Sequence, residues 1–139
     1  GWDGRAANGW GHIVNEMDAI LNLAGLNMSA WPWTEARKQA FWNSRVWAGQ
    51  AVASAIQSAS NRPRVLVQSS GINFYGLRGD AANESTPHGD DFLARLAAAW
   101  EFSSQPVEEL GVRRVAIRTP PVLTRVPPRT CGGTAHSKR

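Results

Sequence analysis

Two adjacent serines and the only tyrosine of the chain lie close together, at Ser69, Ser70 and Tyr75. The apolar residues Val65–Val67 before them predict a buried strand, so the serines fall at its end. A serine hydroxyl without a neighbouring base is a hydrogen-bonding group and not a nucleophile. Tyr75 could act as a lone acid, although no cation is expected beside it. The alternatives are two serines that satisfy backbone groups in a turn, and a tyrosine that only packs at the strand exit.

Other residues with reactive side chains give weaker signals. The histidines and the single cysteine lack metal-ligand spacing, so no metal site is predicted; they are His12, His88, His136 and Cys131. Three acids, Glu84, Asp90 and Asp91, resemble paired carboxylates, but a solvated loop and a helix cap explain them better. Seven tryptophans suggest stacking on nucleic acid, but no basic residues alternate with them, so packing is preferred.

The charge distribution also argues against a nucleic-acid partner. The chain has 139 residues, 42% hydrophobic, and a formal charge of +4. Residues 124–139 hold four basic residues and no acid, and before them eleven basic residues match eleven acidic ones. We therefore predict a neutral body and a disordered basic tail. No apolar stretch approaches the ~20 residues of a membrane helix, so no membrane partner is expected.

The apolar pattern predicts three strands separated by two helices. Thr34 and Asp91 (or Asp90) are the expected helix N-caps, and Pro106 should kink or divide the second helix. Apolar residues from Ala40 to Ile56 predict one buried stripe on the first helix. The expected elements are strands at 19–25, 65–70 and 112–118, and helices at 35–59 and from 92 to as far as 110. This alternation predicts an α/β domain over residues 1–123, with a parallel sheet whose first strand is buried on both faces.

Four segments in this order resemble the epimerase-like branch of the extended short-chain dehydrogenase/reductases, the NAD-dependent epimerase/dehydratase family. They are residues 18–25, 33–46, 67–76 and 91–101, followed by Arg118-Thr119 and Val122-Leu123 at the next strand end. The resemblance spans residues 18–123. It implies part of a three-layer Rossmann-like fold, truncated at both ends, with NADP or NAD across the carboxyl ends of the strands.

The resemblance also implies roles for particular residues. Ser70 matches the serine that hydrogen-bonds the reacting oxygen of the substrate, with Ser69 as the alternative, and Tyr75 is a second catalytic candidate. The loop after the first strand would pass near the adenosine ribose, and the loop after the third near the nicotinamide, where Pro120 replaces a glycine. The cofactor candidates are Leu23, Ala24, Gly25, Ser69, Thr119 and Val122. The alternative for Gly25 is a plain strand-ending glycine.

Two features that this superfamily usually needs are missing. Its reactions depend on a tyrosine with a lysine four residues later, but Gly79 stands four residues after Tyr75, and the only lysines are Lys38 and Lys138. A glycine-rich phosphate loop following a buried strand is also absent. We therefore expect a fragment that is inactive alone, whose full-length relatives bind a dinucleotide and a small-molecule substrate.

Two other functions are also compatible with the sequence. The first is a non-catalytic interaction protein that uses an exposed sheet edge and the tryptophan-rich helix. The second, less favoured, is a nucleic-acid binder with a basic tail. Open strand edges also predict self-association. The single cysteine favours an intracellular and chiefly cytoplasmic location, with an organelle not excluded.

Overall fold

A three-stranded parallel sheet organises the chain. The computed structural model describes residues 2–29 and 31–121. The strands are β1 (Ala19–Asn22), β2 (Val65–Gly71) and β3 (Arg113–Thr119), in the spatial order β1-β2-β3. In the register, Ala19 lies beside Val65, and Val65 lies beside Arg113. The predicted α/β class with a parallel sheet is confirmed.

Two α-helices connect the strands, and both begin at the expected caps. Helix α1 spans Glu35–Ser58 and α2 spans Phe92–Phe102. The Thr34 hydroxyl accepts a hydrogen bond from the Arg37 amide at 3.3 Å. The Asp91 carboxylate accepts from the amides of Leu93 and Ala94 at 2.8 and 3.0 Å. These contacts satisfy N–H groups that have no partner within the helix.

Three short 3-10 helices complete the described elements. They span Gly11–Glu16, Ile72–Tyr75 and Gln105–Leu110. Pro106 lies in the third of them, four residues beyond the last residue of α2. The predicted division of the second helix at this proline is therefore confirmed.

Both α-helices cover the same face of the sheet. The two crossovers step in one direction, from β1 to β2 to β3, and right-handed connections then put α1 and α2 on one side. The main core lies between this side and α1; its buried members are Val14, Val52, Ala55, Ile56, Ala59, Leu66, Val107 and Val112. On the opposite face, Leu21, Val67 and Val115 form a row across the three strands, and Leu21 is 59% exposed.

The first strand differs from its prediction in length and burial. It ends at Asn22, where the expected strand continued to Gly25. The Asn22 side-chain oxygen accepts a hydrogen bond from the Ala24 amide at 3.2 Å, which turns the chain away from the ladder. The expectation of burial on both faces is wrong for β1, because Asn22 is buried on the helix side whereas Leu21, on the opposite face, is 59% exposed.

The buried stripe of α1 is shifted from the expected one. Ala48 and Gly49 are buried, whereas Ala40, Val46 and Trp47 are only partly covered. A Cβ atom on Gly49 would lie 2.9 Å from the Cβ of Ser103, just beyond α2. Small residues therefore allow the two helices to approach closely at this point. Neither helix, nor any other in the described residues, is long and apolar enough to span a membrane.

Candidate functional site

The carboxyl ends of the three strands bring most of the candidate residues to one edge of the sheet. Leu23–Gly25 follows β1, Ser69 and Ser70 lie near the end of β2, and Thr119 ends β3. Ser70 is in register with Arg118, and the Thr119 hydroxyl donates to the Ser70 carbonyl oxygen at 3.4 Å. Val122 lies outside the described residues, as does the tail with its predicted disorder.

Ser69 and Ser70 point to opposite faces of the sheet, as successive residues of a strand must. Ser70 faces α2 and is 4% exposed, whereas Ser69 lies half-buried on the face without helices. The two serines are therefore not interchangeable. Only Ser70 can act together with side chains of α2.

Ser70 belongs to a buried polar cluster that the sequence analysis did not predict. Its hydroxyl donates to Oε1 of Glu101 at 2.6 Å. Arg118 binds the same carboxylate through two contacts, from Nε to Oε1 at 2.8 Å and from Nη2 to Oε2 at 2.9 Å. This forked geometry fixes the carboxylate and, through it, the direction of the Ser70 hydroxyl.

Arg118 also joins Tyr75 to the cluster. Its Nη1 donates to the Tyr75 hydroxyl at 2.8 Å, and its guanidinium carbon lies 3.5 Å from the centroid of the Phe74 ring. The hydrogen bond to Glu101 raises the pKa of Arg118 above its ordinary value, so this cation stays charged. The expectation that no cation lies beside Tyr75 is wrong, because Arg118 reaches it from a strand 43 residues later in the chain.

A polar cleft of about 400 Å³ opens beside this cluster. Tyr75, Glu84, Glu101, Arg114 and Arg118 contribute to its wall. Arg114 donates from Nε to Glu108 at 2.8 Å and from Nη1 to the Glu101 carbonyl oxygen at 3.2 Å, which supports the end of α2. The arrangement can hold and orient a polar ligand through preformed charges and hydroxyl groups.

Sequence signals for Glu101 and Arg118 existed but were not specific. Glu101 follows a run of alanines and a tryptophan on an apolar helix, and Arg118 lies in a strand rich in β-branched residues. A buried charge needs an opposite charge beside it, and Glu101 and Arg118 provide this for each other. The pairing itself depends on the fold, which places β3 beside α2.

Hydrogen bonds also shape the loop after β1. Asn22 donates from its side-chain amide to the Gln68 side-chain oxygen at 3.0 Å, and this pair is buried between β1 and β2. The Leu26 amide donates to the Ser44 hydroxyl of α1 at 3.0 Å. The loop that contains Leu23–Gly25 is therefore held at both of its ends.

The acids, histidine and tryptophans that were expected to cap, pack or face solvent do so in the structure. Asp91 caps α2, and Glu84 and Asp90 are exposed in the preceding loop. His88 packs edge-on against Phe74, with ring centroids 5.8 Å apart. Two of the seven tryptophans, Trp2 and Trp31, are exposed and the other five are partly buried. No group of potential metal ligands is found among residues 2–29 and 31–121.

Comparisons with known proteins identify the family. No family model matches the chain. Epimerase family protein MT2273 of Mycobacterium tuberculosis is 32% identical over 114 residues, which is 81% of this chain and 37% of the relative. YfhF, an epimerase family protein of Bacillus subtilis, is 35% identical over 73% of this chain and 34% of its own length. The chain belongs to the epimerase family.

Solved structures of this family and superfamily share the fold. The human epimerase family protein SDR39U1, crystallised with NADPH, superposes with a TM-score of 0.71 at 32% identity, over 78% of this chain and 38% of that one. A nucleoside-diphosphate sugar epimerase from Corynebacterium glutamicum gives a TM-score of 0.68 at 28% identity, over 85% of this chain and 24% of that one. These matches confirm the expected epimerase family and the partial Rossmann-like fold.

This epimerase family chain spans only part of the length of each of these relatives. It covers 33% to 42% of the lengths of curated bacterial, plant and human relatives. The plant relative, from Arabidopsis thaliana, is named as chloroplastic.

Proposed function

We propose that the chain provides one part of the dinucleotide and substrate site of an NAD(P)-dependent epimerase/dehydratase-like enzyme and does not turn over substrate alone. The observation that carries this proposal is the convergence of three strand ends with the Ser70–Glu101–Arg118–Tyr75 cluster at one edge of the sheet. Ligands of open parallel sheets bind outside the carboxyl ends of the strands.

The proposed cofactor is NADP or NAD, since structural relatives are described with NADPH or NAD. Leu23, Ala24 and Gly25 would lie along the adenosine ribose, where the exposed loop leaves the backbone accessible. Thr119 would lie near the nicotinamide. Ser69 would face the cofactor from the half-buried side of β2.

Ser70 and Tyr75 are the proposed catalytic residues. Because the Ser70 proton is directed to Glu101, its hydroxyl oxygen retains only lone pairs for a substrate. It can therefore accept a hydrogen bond from a substrate hydroxyl more readily than it can donate to a carbonyl oxygen. Tyr75, held by Arg118, borders the cleft in which a small polar substrate would lie.

Substrate, partners and location follow from the family as proposals. The substrate class is a sugar nucleotide or similar carbonyl compound, as the name of the Corynebacterium relative suggests. Self-association or another protein partner is supported by the open face with Leu21, Val67 and Val115. We assign an intracellular location, in the cytoplasm or an organelle.

A segment exchange tests this function. Residues 19–119 would replace the matching segment of human SDR39U1, and NADPH binding would be titrated by tryptophan fluorescence for the chimera, the human protein and the chain alone. We expect saturable binding by the chimera and none at micromolar concentrations by the chain. Micromolar binding by the chain alone would show that no further segment is needed. A folded chimera without binding would contradict the proposed cofactor role.

A further inference from the structure

Within the described residues, Arg45 on α1 has only neutral hydrogen-bond acceptors, unlike the partly buried Arg114 and Arg118. Its Nη1 donates to the carbonyl oxygens of Leu26 and Phe41, each at 3.2 Å, and to the Ser44 hydroxyl at 3.4 Å. Arg114 and Arg118, by contrast, each bind a carboxylate. None of the ion pairs within residues 2–29 and 31–121 includes Arg45.

The surroundings of Arg45 make this lack of a counter-charge costly. Burial lowers the pKa of the guanidinium below its ordinary value, because the charged form loses contact with water. The ring of Trp100, whose centroid lies 5.0 Å from the guanidinium carbon, compensates in part. A partly desolvated cation of this kind is stabilised strongly by an anion.

Gly25 creates the space in which Arg45 lies. A Cβ atom at position 25 would lie 3.2 Å from Cζ, 3.3 Å from Nη2 and 3.4 Å from Nε of Arg45. The N–H groups on Nε and Nη2 have no acceptor among the described residues, since all hydrogen bonds of this side chain start at Nη1. The unused edge of the guanidinium therefore lies beside the loop that follows β1.

The aromatic ring under this cation also carries an unused donor. The indole N–H of Trp100 is buried and has no hydrogen-bond partner in the described part of the chain. Buried donors are nearly always paired with protein or with bound solvent. Two neighbouring side chains, Arg45 and Trp100, therefore both keep N–H groups without an acceptor in the described residues.

We infer that Arg45, seated against Gly25, forms an anion-binding site for a phosphate or carboxylate group at the carboxyl end of β1. A planar guanidinium whose Nε and Nη2 are both free suits an oxyanion, which can accept one hydrogen bond from each nitrogen. The anion has two possible sources, a phosphate of the dinucleotide or an anionic group of the substrate. The site is distinct from the Arg118 cluster, and its anion binding does not depend on the proposed reaction.

A purely structural clamp is the competing explanation. In that case Arg45 only ties the carbonyl oxygen of Leu26 to α1, and its removal loosens the loop without any change in anion binding. The two explanations differ in how added anions affect the stability of matched variants. Stability alone does not separate them, because both predict some loss when Arg45 is replaced.

Thermal unfolding of the full chain in inorganic pyrophosphate provides the test, at constant ionic strength set with sodium chloride. The variants are Arg45→Gln, Arg45→Lys and the control Arg95→Gln, which removes an exposed cation bonded only to the Asp90 carbonyl oxygen. We expect pyrophosphate to raise the midpoint of the wild type and of Arg95→Gln, through binding to the folded state. Arg45→Gln should bind about tenfold more weakly or not at all.

Two results would overturn the inference: no pyrophosphate effect on the wild type, or an equal effect on Arg45→Gln. If Arg45→Gln does not fold, Arg45→Lys decides, because the charge remains while the two-pronged donor edge is lost. Binding as tight as in the wild type would then contradict the proposed site.

The source of the anion is resolved in the chimera with human SDR39U1. Competition of pyrophosphate with NADPH that is lost in the Arg45→Gln chimera would assign the site to the dinucleotide. Competition with uridine diphosphate alone, lost in the same variant, would assign it to the substrate. If the chimera binds NADPH equally well with and without Arg45→Gln and pyrophosphate competes with neither nucleotide, the anion does not come from a nucleotide. The assignment of the anion to either nucleotide then fails, while the proposed function stands.

Discussion

Arg118 binds Glu101 through two parallel N–H···O contacts of 2.8 and 2.9 Å, which join the carboxyl end of β3 to α2. Their side chains are only 18% and 9% exposed. The pair therefore differs from the exposed Lys38–Glu35 pair within α1, although the closest N–O distances, 2.8 and 2.7 Å, are similar. Burial, more than distance, decides what each pair contributes to stability.

Replacing Arg118 by methionine should destabilise the fold by roughly 3 kcal/mol, because it leaves the Glu101 carboxylate buried without its counter-charge. Urea unfolding followed by tryptophan fluorescence measures the change. The matched control is Glu35→Gln in the exposed pair, which should cost less than about 1 kcal/mol. Equal losses of unfolding free energy in the two variants would show that burial does not increase the contribution of the Arg118–Glu101 pair to stability.

Asp91→Ala should remove the cap of α2 and cost about 1 kcal/mol, since the amides of Leu93 and Ala94 lose their acceptor. Circular dichroism during urea unfolding gives the free energy and the helical signal. Asp90→Ala is the control, because the neighbouring carboxylate makes no hydrogen bond to the described helix amides. A greater loss for Asp90→Ala than for Asp91→Ala would contradict the assignment of the cap.

The caps and the order of elements could be predicted because they depend on neighbours in the sequence. Thr34 and Asp91 lie directly before apolar periodic segments, and Val65–Val67 is a short apolar run bounded by polar residues. The polar cluster could not be predicted in this way. Ser70, Glu101 and Arg118 come from three elements, and only the register of β2 with β3 and the placement of α2 bring them together.

Burial of β1 could not be predicted for a related reason. A continuous apolar run predicts a strand but does not reveal whether neighbours cover both of its faces. Both α-helices pack on the other face of the sheet, so Leu21 is exposed although its sequence is typical of an interior strand. The resemblance to a known family supplied the position of Ser70, whereas its contact with Glu101 required the structure.

Gly49→Ala should cost about 1–3 kcal/mol, because the added Cβ would lie 2.9 Å from the Ser103 Cβ and the helices would have to separate. The control is Gly79→Ala in the exposed loop, where a Cβ meets nothing within 4 Å. Combining Gly49→Ala with Ser103→Gly should recover part of the loss. Thermal and urea unfolding measure the stability of the two single variants and the double variant. If the double variant recovers no stability, the clash with Ser103 is not the cause of the loss.

Self-association through the open face should weaken when a charge is placed on it. Leu21→Lys adds an ammonium to the row formed with Val67 and Val115, and desolvating that charge in an interface is unfavourable. Because Leu21 is 59% exposed, the substitution should change stability by less than about 0.5 kcal/mol. Sedimentation equilibrium measures the oligomeric state, with Leu77→Lys on the fully exposed loop as the control. Equal association of the wild type and both variants would exclude this face as the contact, and a smaller oligomer in Leu21→Lys alone would assign it.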